Sequence, residues 1–278
     1  MSDFSLLAKN ILNKYFDADD DLEPLYIQPD RQVFLAPKLK VVLKIYVEGD
    51  ALKREFDATQ KAAEAGVPTA TILRFEQGSP SVLLLKYVSG ESISSKKPLA
   101  AKEVGKYLEQ FHQIGATAPF SGGQYNWHEF VSWWANQEIS NVKKLGIFDE
   151  KTVSLIEQKF QDDSSLLFSR PVVLLHGDLQ AVHVLVDQKK DEFLAFLDFA
   201  DTQPGDPLLD IAVLSLHDVA LASYILEGYQ RIENDDEVRR ILSLYRLLRR
   251  LAEIPWLLNR NLRERAEKDR LEILSQFS

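Results

Sequence analysis

The sequence predicts an α+β protein in two lobes, a small β-rich N-terminal one and a larger, mainly helical C-terminal one. Three observations carry this. The first third mixes short β-rich runs with two helical patterns. The polar, turn-rich stretch from Gly90 to Pro98 then breaks that order. Beyond it the chain has helical periodicity, except for three short apolar runs around Asp178 and Asp198. The lobes are therefore placed at residues 1–90 and 91–278. At 278 residues with 45% hydrophobic side chains, the chain can bury a sizeable core.

Taken in order, Leu6 to Tyr15 has helical spacing, and residues 32–36 and 41–47 are β-rich runs around Pro37-Lys38. Residues 51–65 form an amphipathic helix that ends at Gly66, with Pro68 beyond it. Residues 69–75 and 82–88 read as strands joined by the turn Gln77-Gly78-Ser79-Pro80. In the helical part, Asn126 and Glu129 form a capping box opening a Trp-rich helix. Trp127, Trp133 and Trp134 recur there at helical spacing, as core residues rather than a substrate cage. His112 reads as a helix-core residue, and His128 and His217 belong to no motif.

Composition removes several classes of function. With no cysteine there is neither a disulfide framework nor thiolate chemistry. The N-terminus lacks the uninterrupted apolar run of a signal peptide, and no window approaches the ~20 apolar residues of a membrane span. A soluble, cytoplasmic protein with no membrane partner is expected. The net charge of −9 argues against nucleic acid as a partner, because phosphate backbones select basic surfaces.

Chemistry concentrates in LLHGDLQAVHVLVD, residues 174–187, and FLDFADTQPGDPLLD, residues 196–210. Three strand-sized apolar runs converge there on His176, Asp178, His183 and Asp198. Gathering acids at strand ends is costly unless a metal, a proton transfer or a cationic partner uses them. Asp206 before Pro207 reads as a helix N-cap with proline at N1. Upstream, Lys44 alternates with Leu43 and Ile45 along a strand, so it points to the opposite face. A lysine on an inner face wants an acid, and Glu55 in the following helix is placed to be that acid.

His-x-Asp, a polar residue five positions after that Asp, and Asp-Phe one hairpin later resemble the catalytic and metal-binding loops of the kinase-like phosphotransferases. HGDL, then LDFAD, then GDP with a further aspartate four residues on, is similar to the aminoglycoside phosphotransferase branch, which also holds choline, fructosamine, methylthioribose and homoserine kinases. The resemblance runs from Glu23 to Leu214. It implies a protein-kinase-like fold with a nucleotide-binding N-terminal lobe. It also implies ATP-dependent phosphorylation of a hydroxyl group on a small-molecule acceptor, with ATP and Mg²⁺ as cofactors. In that scheme Lys44 holds the nucleotide α- and β-phosphates and Glu55 steadies it. Lys86 and Val88 lie in the hinge and act on adenine through backbone groups. Asp178 orients the acceptor hydroxyl and accepts its proton, and Asp198 binds Mg²⁺. His176 belongs to the catalytic loop, which its imidazole pins by bonding to a buried acid, with Asp210 as the candidate.

Two positions depart from the family pattern. His183 stands where the pattern usually has asparagine. A neutral imidazole nitrogen is a poorer ligand for Mg²⁺ and a better one for Mn²⁺. Three readings stay open: His183 contacts the metal or a phosphate, or it bonds to Asp178 and fixes the loop, or that corner has lost its metal. The second departure is the loop Gln28-Pro29-Asp30-Arg31, which has no glycine to bring backbone amides close to phosphates. Arg31 is the residue there that can supply charge instead. These departures keep two alternatives in view, a catalytically degenerate kinase-like nucleotide-binding protein and a metal-dependent hydrolase using His176, Asp178, His183 and Asp198. Finally, residues 239–270 carry ten basic side chains against four acids. Leu244, Leu247, Leu248 and Leu251 supply an inward stripe, so the patch of Arg246, Arg249 and Arg250 is expected to face solvent. The other outcome is a patch facing the cleft and favouring an anionic acceptor.

Overall fold

The computed structural model describes residues 4–18, 20–115, 126–233 and 235–277. Helix α1 (Ser5–Phe16) is followed by strands β1 (Glu23–Ile27), β2 (Arg31–Ala36) and β3 (Val41–Tyr46), helix α2 (Asp50–Glu64), and strands β4 (Ile72–Glu76) and β5 (Ser81–Lys86). The five strands form one antiparallel sheet in the order β1-β2-β3-β5-β4. Strand alternation divides its faces. Leu43 and Ile45 pack with Ala8, Ile11 and Leu12 of α1, whereas Tyr46 packs with Leu52 of α2, Leu83 and Leu85. Each fully buried Leu or Ile contributes ~1.5–3 kcal/mol. A one-residue slip of β3 would expose Leu43 and Ile45, so their burial fixes the register that turns Lys44 toward α2.

Strand β6 (Glu91–Ser92) leads into helices α3 (Pro98–His112), α4 (Trp127–Lys144) and α5 (Glu150–Asp163). Short strands β7 (Val173–Leu175), β8 (Val184–Val186), β9 (Phe193–Phe196) and β10 (Gln203–Gly205) follow, then α6 (Pro207–Leu214), α7 (Leu221–Gly228), α8 (Asp236–Asn259) and α9 (Arg263–Ser275). β7 pairs with β10, and β6, β8 and β9 form a small antiparallel sheet. β7, β8 and β9 are the three apolar runs anticipated from the sequence. β6 and β10 carry no apolar alternation and had no such signal. The expected strand over residues 69–75 begins later, at Ile72, because Thr69 instead bridges to Phe196 in the β8–β9 hairpin. The Phe196 amide donates to the Pro68 carbonyl at 3.0 Å, tying the N-terminal sheet to that hairpin. α3 crosses α7 so closely that a Cβ on Gly105 would lie 2.0 Å from the Ile225 carbonyl oxygen, which leaves room only for glycine.

The expected solvent-facing basic patch is not formed. The leucine stripe is inward as anticipated, with Leu244, Leu247, Leu248 and Leu251 all fully buried. Helix α9, however, folds back over α8, and Leu247, Leu251 and Ile254 pack with Ala266 and Ile273. The stripe marks one of two covered faces, so the arginines beside it are drawn inward. Arg250 is buried, paired with Asp269 of α9 and donating to the Leu216 carbonyl. Arg246 donates to Ser215 Oγ at 2.7 Å, and burial pushes its guanidinium down to about 10. Arg249 points into the cleft. Among the described residues, no helix is long and apolar enough to cross a membrane.

Candidate active site

A cleft of about 1180 Å³ is lined by residues of the five-stranded sheet and of the helical part. At its inner end the Lys44 ammonium donates to Glu55 Oε1 and to Asp198 Oδ1, each at 2.7 Å. Lys44 and Glu55 are buried, so neither charge is solvated by water and each depends on its partner. Burial works against the Lys44 charge, but Asp198 and Glu55 together outweigh it and hold its pKa above the usual value. Burial pushes the Glu55 carboxyl up to about 7, against the pull of Lys44. Asp198 moves the other way. Its burial is outweighed by Lys44 and His183, which hold the carboxyl well below the usual range.

Helix α2 is fastened to the Asp198 loop by a further bond, from Arg54 Nε to the Ala200 carbonyl at 2.8 Å. Asp198 itself adopts a left-handed backbone, φ 63°, between β9 and a short 3₁₀ turn over Phe199–Asp201. Arg31, Lys86 and Val88 also line the cleft. The Lys86 and Tyr87 amides are committed to the Thr71 and Lys40 carbonyls, each at 2.8 Å. Arg31 Nε is buried without a hydrogen-bond partner among the described residues. The loop before it closes through the Gln28 amide onto the Arg31 carbonyl at 2.9 Å.

Strand β7 delivers His176, Gly177 and Asp178. Asp210 at the start of α6 pins this loop, but not through the imidazole as the sequence suggested. Its carboxylate accepts from the His176 amide at 2.7 Å and from the Gly177 amide at 3.0 Å. The His176 ring turns the other way, and Nε2–H donates to the Leu197 carbonyl at 2.8 Å. His176 is 1% exposed and does not line the cleft, and burial lowers its pKa, so it is a neutral support behind the loop. The grouping of His176 with catalysis is therefore corrected to one of positioning. The third donor to Asp210 is His112 Nε2 at 3.1 Å, whose other nitrogen meets the Tyr229 hydroxyl at 2.9 Å. His112 is core, as expected, and also an orienting partner of Asp210. Gly177 has φ +86°, and a Cβ there would sit 1.9 Å from the Asp201 carbonyl oxygen.

His183 makes the bond to Asp178 that one of its three readings expected. Its Nδ1–H donates to the Asp178 backbone carbonyl at 2.8 Å. Nε2 faces Asp198 Oδ2 at 3.7 Å. One cation at ~2.1 Å from each atom spans that separation, so the pair fits a divalent metal. The four-residue ligand set of a hydrolase is not assembled, since His176 is buried behind the loop and does not line the cleft. Among the described residues, the group of three potential ligands that does lie together is His217, Glu253 and Asp269, within 4.8 Å. Arg249 and Arg250 already pair with Glu253 and Asp269, which makes that group an ion-pair network.

The outer end of the cleft holds Arg249, which faces the cleft and not solvent as expected, and brings in Gln180, Glu253 and Trp256, which the sequence had not marked. Arg249 NH2 donates to Asp178 Oδ1 at 2.7 Å and its Nε to Glu253 Oε1 at 3.1 Å. Gln180 Nε2 also reaches Asp178 Oδ1 and Oδ2, at 3.0 and 3.2 Å. Trp127 is core, with its indole N–H on the Tyr245 hydroxyl at 2.6 Å, and that hydroxyl in turn donates to Asp206. Trp133 and Trp134 are not core in the same way. Trp127, Val131, Ala135 and Ile139 take the buried face of α4, which leaves Trp133 58% exposed on the cleft wall with Trp134 beside it. Trp256 of α8 joins them there. The i,i+4 spacing of Arg249 and Glu253 was the one sequence signal available for this corner.

The model of the phosphotransferase enzyme family (APH) matches residues 30–254. The chain belongs to that family. Solved structures share its fold over nearly the whole length. The streptomycin–ATP ternary complex of APH(2″)-IIa aligns with a TM-score of 0.71 at 18% identity, covering 98% of this chain and 97% of that one. The GDP complex of aminoglycoside 2′-phosphotransferase-IIIa aligns at 0.76 and 16% identity, covering 99% and 98%. A choline/ethanolamine kinase family protein from Mesorhizobium loti aligns at 0.74 and 17% identity, covering 98% and 94%. This phosphotransferase accordingly has a kinase-like fold, with a small antiparallel sheet ahead of a mostly helical part.

Proposed function

We propose that this phosphotransferase moves the γ-phosphoryl group of ATP to a hydroxyl group of a small-molecule acceptor. The observation that carries the reading is Lys44 held between Glu55 and Asp198, at 2.7 Å from each, in the same cleft as Asp178. In a degenerate site there would be little reason to keep a buried lysine shared by two carboxylates. Residues 1–90 act as the nucleotide-binding lobe and 91–278 carry the catalytic loops. Lys44, steadied by Glu55, binds the α- and β-phosphates. Arg31 adds charge where the loop has no glycine, and Lys86 and Val88 border the adenine through their backbone. Asp198 and His183 hold a divalent cation, Mg²⁺ or Mn²⁺, which when bound neutralises phosphate charge. Asp178 faces the acceptor, orients its hydroxyl and takes its proton as the new bond forms. His176, Asp210 and His112 keep Asp178 in place.

ATP in one similar complex and GDP in another support a nucleoside triphosphate as donor. The exposed Trp133, with Trp134 and Trp256, gives the acceptor end flat apolar walls beside acidic groups. The test is ADP release from ATP and Mg²⁺ across amino sugars, amino alcohols, sugars and nucleosides. An acceptor-dependent rate that falls ~10²-fold or more in Asp178→Asn is expected, with ATP binding retained. A chain that binds ATP but transfers to none of these classes, and whose Asp178→Asn variant behaves as wild type, would favour the degenerate reading.

A further inference from the structure

We infer that Arg249 is a positioning residue that withholds Asp178 from water and releases it to the acceptor by moving onto Glu253. The inference rests on the transfer reading above. Its observations are local. Asp178 is not an open carboxylate: Oδ1 accepts from both Arg249 and Gln180, and Oδ2 from Gln180. Both acceptor positions of Oδ1 are taken, so a hydroxyl approaching that oxygen must displace a donor, and the charge-assisted bond from Arg249 is the stronger. Arg249 also has somewhere to go. Its Nε already holds Glu253 Oε1, one helical turn along α8, while Glu253 Oε2 is buried without a hydrogen-bond partner among the described residues. A small rotation that takes NH2 from Asp178 to Glu253 Oε2 converts two single bonds into one two-pronged pair. Arg249 is charge-paired in both positions, and Asp178, 21% exposed, keeps Gln180 and gains the incoming hydroxyl.

The two positions decide which nucleophile reacts. In transfer, the acceptor oxygen bonds to the γ-phosphorus. The bond from that phosphorus to the β–γ bridging oxygen breaks, its electron pair leaves on ADP, and the hydroxyl proton passes to Asp178. Water can enter the same step and yield inorganic phosphate. A water molecule has no further body with which to displace Arg249. An acceptor seated against Trp133 and Trp256 does, because its binding energy is available to drive the exchange.

The experiment measures ADP release from ATP and Mg²⁺ with no acceptor, and separately with the acceptor found in the screen, alongside direct titration of ATP binding. Arg249→Gln is expected to raise the acceptor-independent rate ~10-fold, the scale of one charge-assisted bond, with ATP binding kept. Adding Asp178→Asn should remove the rise. Arg249→Lys, which keeps one contact and loses the fork, should fall between. Glu253→Gln takes away the alternative partner, so Arg249 stays on Asp178. Both rates then fall, with the acceptor-dependent loss in kcat rather than KM. A role in folding alone would not move Arg249→Gln and Glu253→Gln in opposite directions. Should Arg249→Gln not fold, Arg249→Lys and Glu253→Gln carry the same contrast. ATP binding with no rise in Arg249→Gln or Arg249→Lys overturns the inference alone. Absence of ATP binding in the wild type overturns the kinase reading and this inference with it.

Discussion

At the scale of single residues, the chemistry lies in how each charge is shared. His183 in place of the usual asparagine offers a nitrogen beside Asp198 rather than an oxygen. His183→Asn should therefore shift metal preference from Mn²⁺ toward Mg²⁺ without abolishing turnover. Activity titrations with each metal check this, and unchanged ratios would place His183 outside the metal shell. Glu55 makes a prediction about pH. Its folded value, about 7, lies above its ordinary 4.5. The stability it contributes is thus complete below about 4.5 and lost as pH rises through about 7. Between about pH 5 and about pH 8, wild type should lose stability to urea relative to Glu55→Gln. A constant difference across that window would mean that Glu55 ionises normally. Lys44, Glu55, Asp178 and Asp198, which line one cleft, could be singled out in the sequence because each sits in a short motif resembling the family's. Arg249 was not. Its partner Asp178 lies 71 residues away, and no periodicity in α8 distinguishes an arginine on the cleft from one in solvent.

At the scale of elements, the loops and helices that hold these residues are fixed by close approach and buried pairing. The HGD loop turns at Gly177 against the Asp201 carbonyl. Gly177→Ala should cost about 1–3 kcal/mol from backbone strain and clash and lower turnover more than it lowers ATP affinity. Denaturant unfolding and kinetics on the same sample check both parts. The α8–α9 contact depends on Arg250, 4% exposed and paired with Asp269. Arg250→Met leaves that acid buried without its partner and should cost about 3–5 kcal/mol, read from the urea midpoint. The α8 leucines were legible as an inward stripe. The second covered face was not, because α9 is highly charged and gives no apolar pattern pointing back at α8. In the N-terminal part, β-rich apolar runs located β2, β3 and β5 to within a residue or two, since β2 buries one face in a core and β3 and β5 bury both. β10, three residues long with a proline and a glycine, has no pattern to read.

At the scale of the whole molecule, the cleft exists because two parts of the chain, remote in sequence, are fastened beside it. Phe196 bonds to Pro68, Arg54 to Ala200, and Lys44 to Asp198 across 154 positions. The first two tie α2 and the segment before β4 to the β9 region. The third is a bond that phosphate can replace. The family resemblance put Lys44 and Asp198 at one nucleotide site, though not in direct contact. It did not show that Trp133, Trp256 and Arg249 would close the other end, because those contacts depend on how α4 and α8 are rotated in the packed protein. The central claim is that Asp178 takes the acceptor proton in a transfer powered by the nucleotide at Lys44. The most direct measurement is single-turnover transfer of labelled γ-phosphate from ATP to the best acceptor of the screen, in wild type and Asp178→Asn, at ATP concentrations that saturate both. The expected result is labelled acceptor in the wild type and a rate ~10²-fold lower or more in the variant, with equal ATP affinity. Equal rates in the two proteins would contradict it.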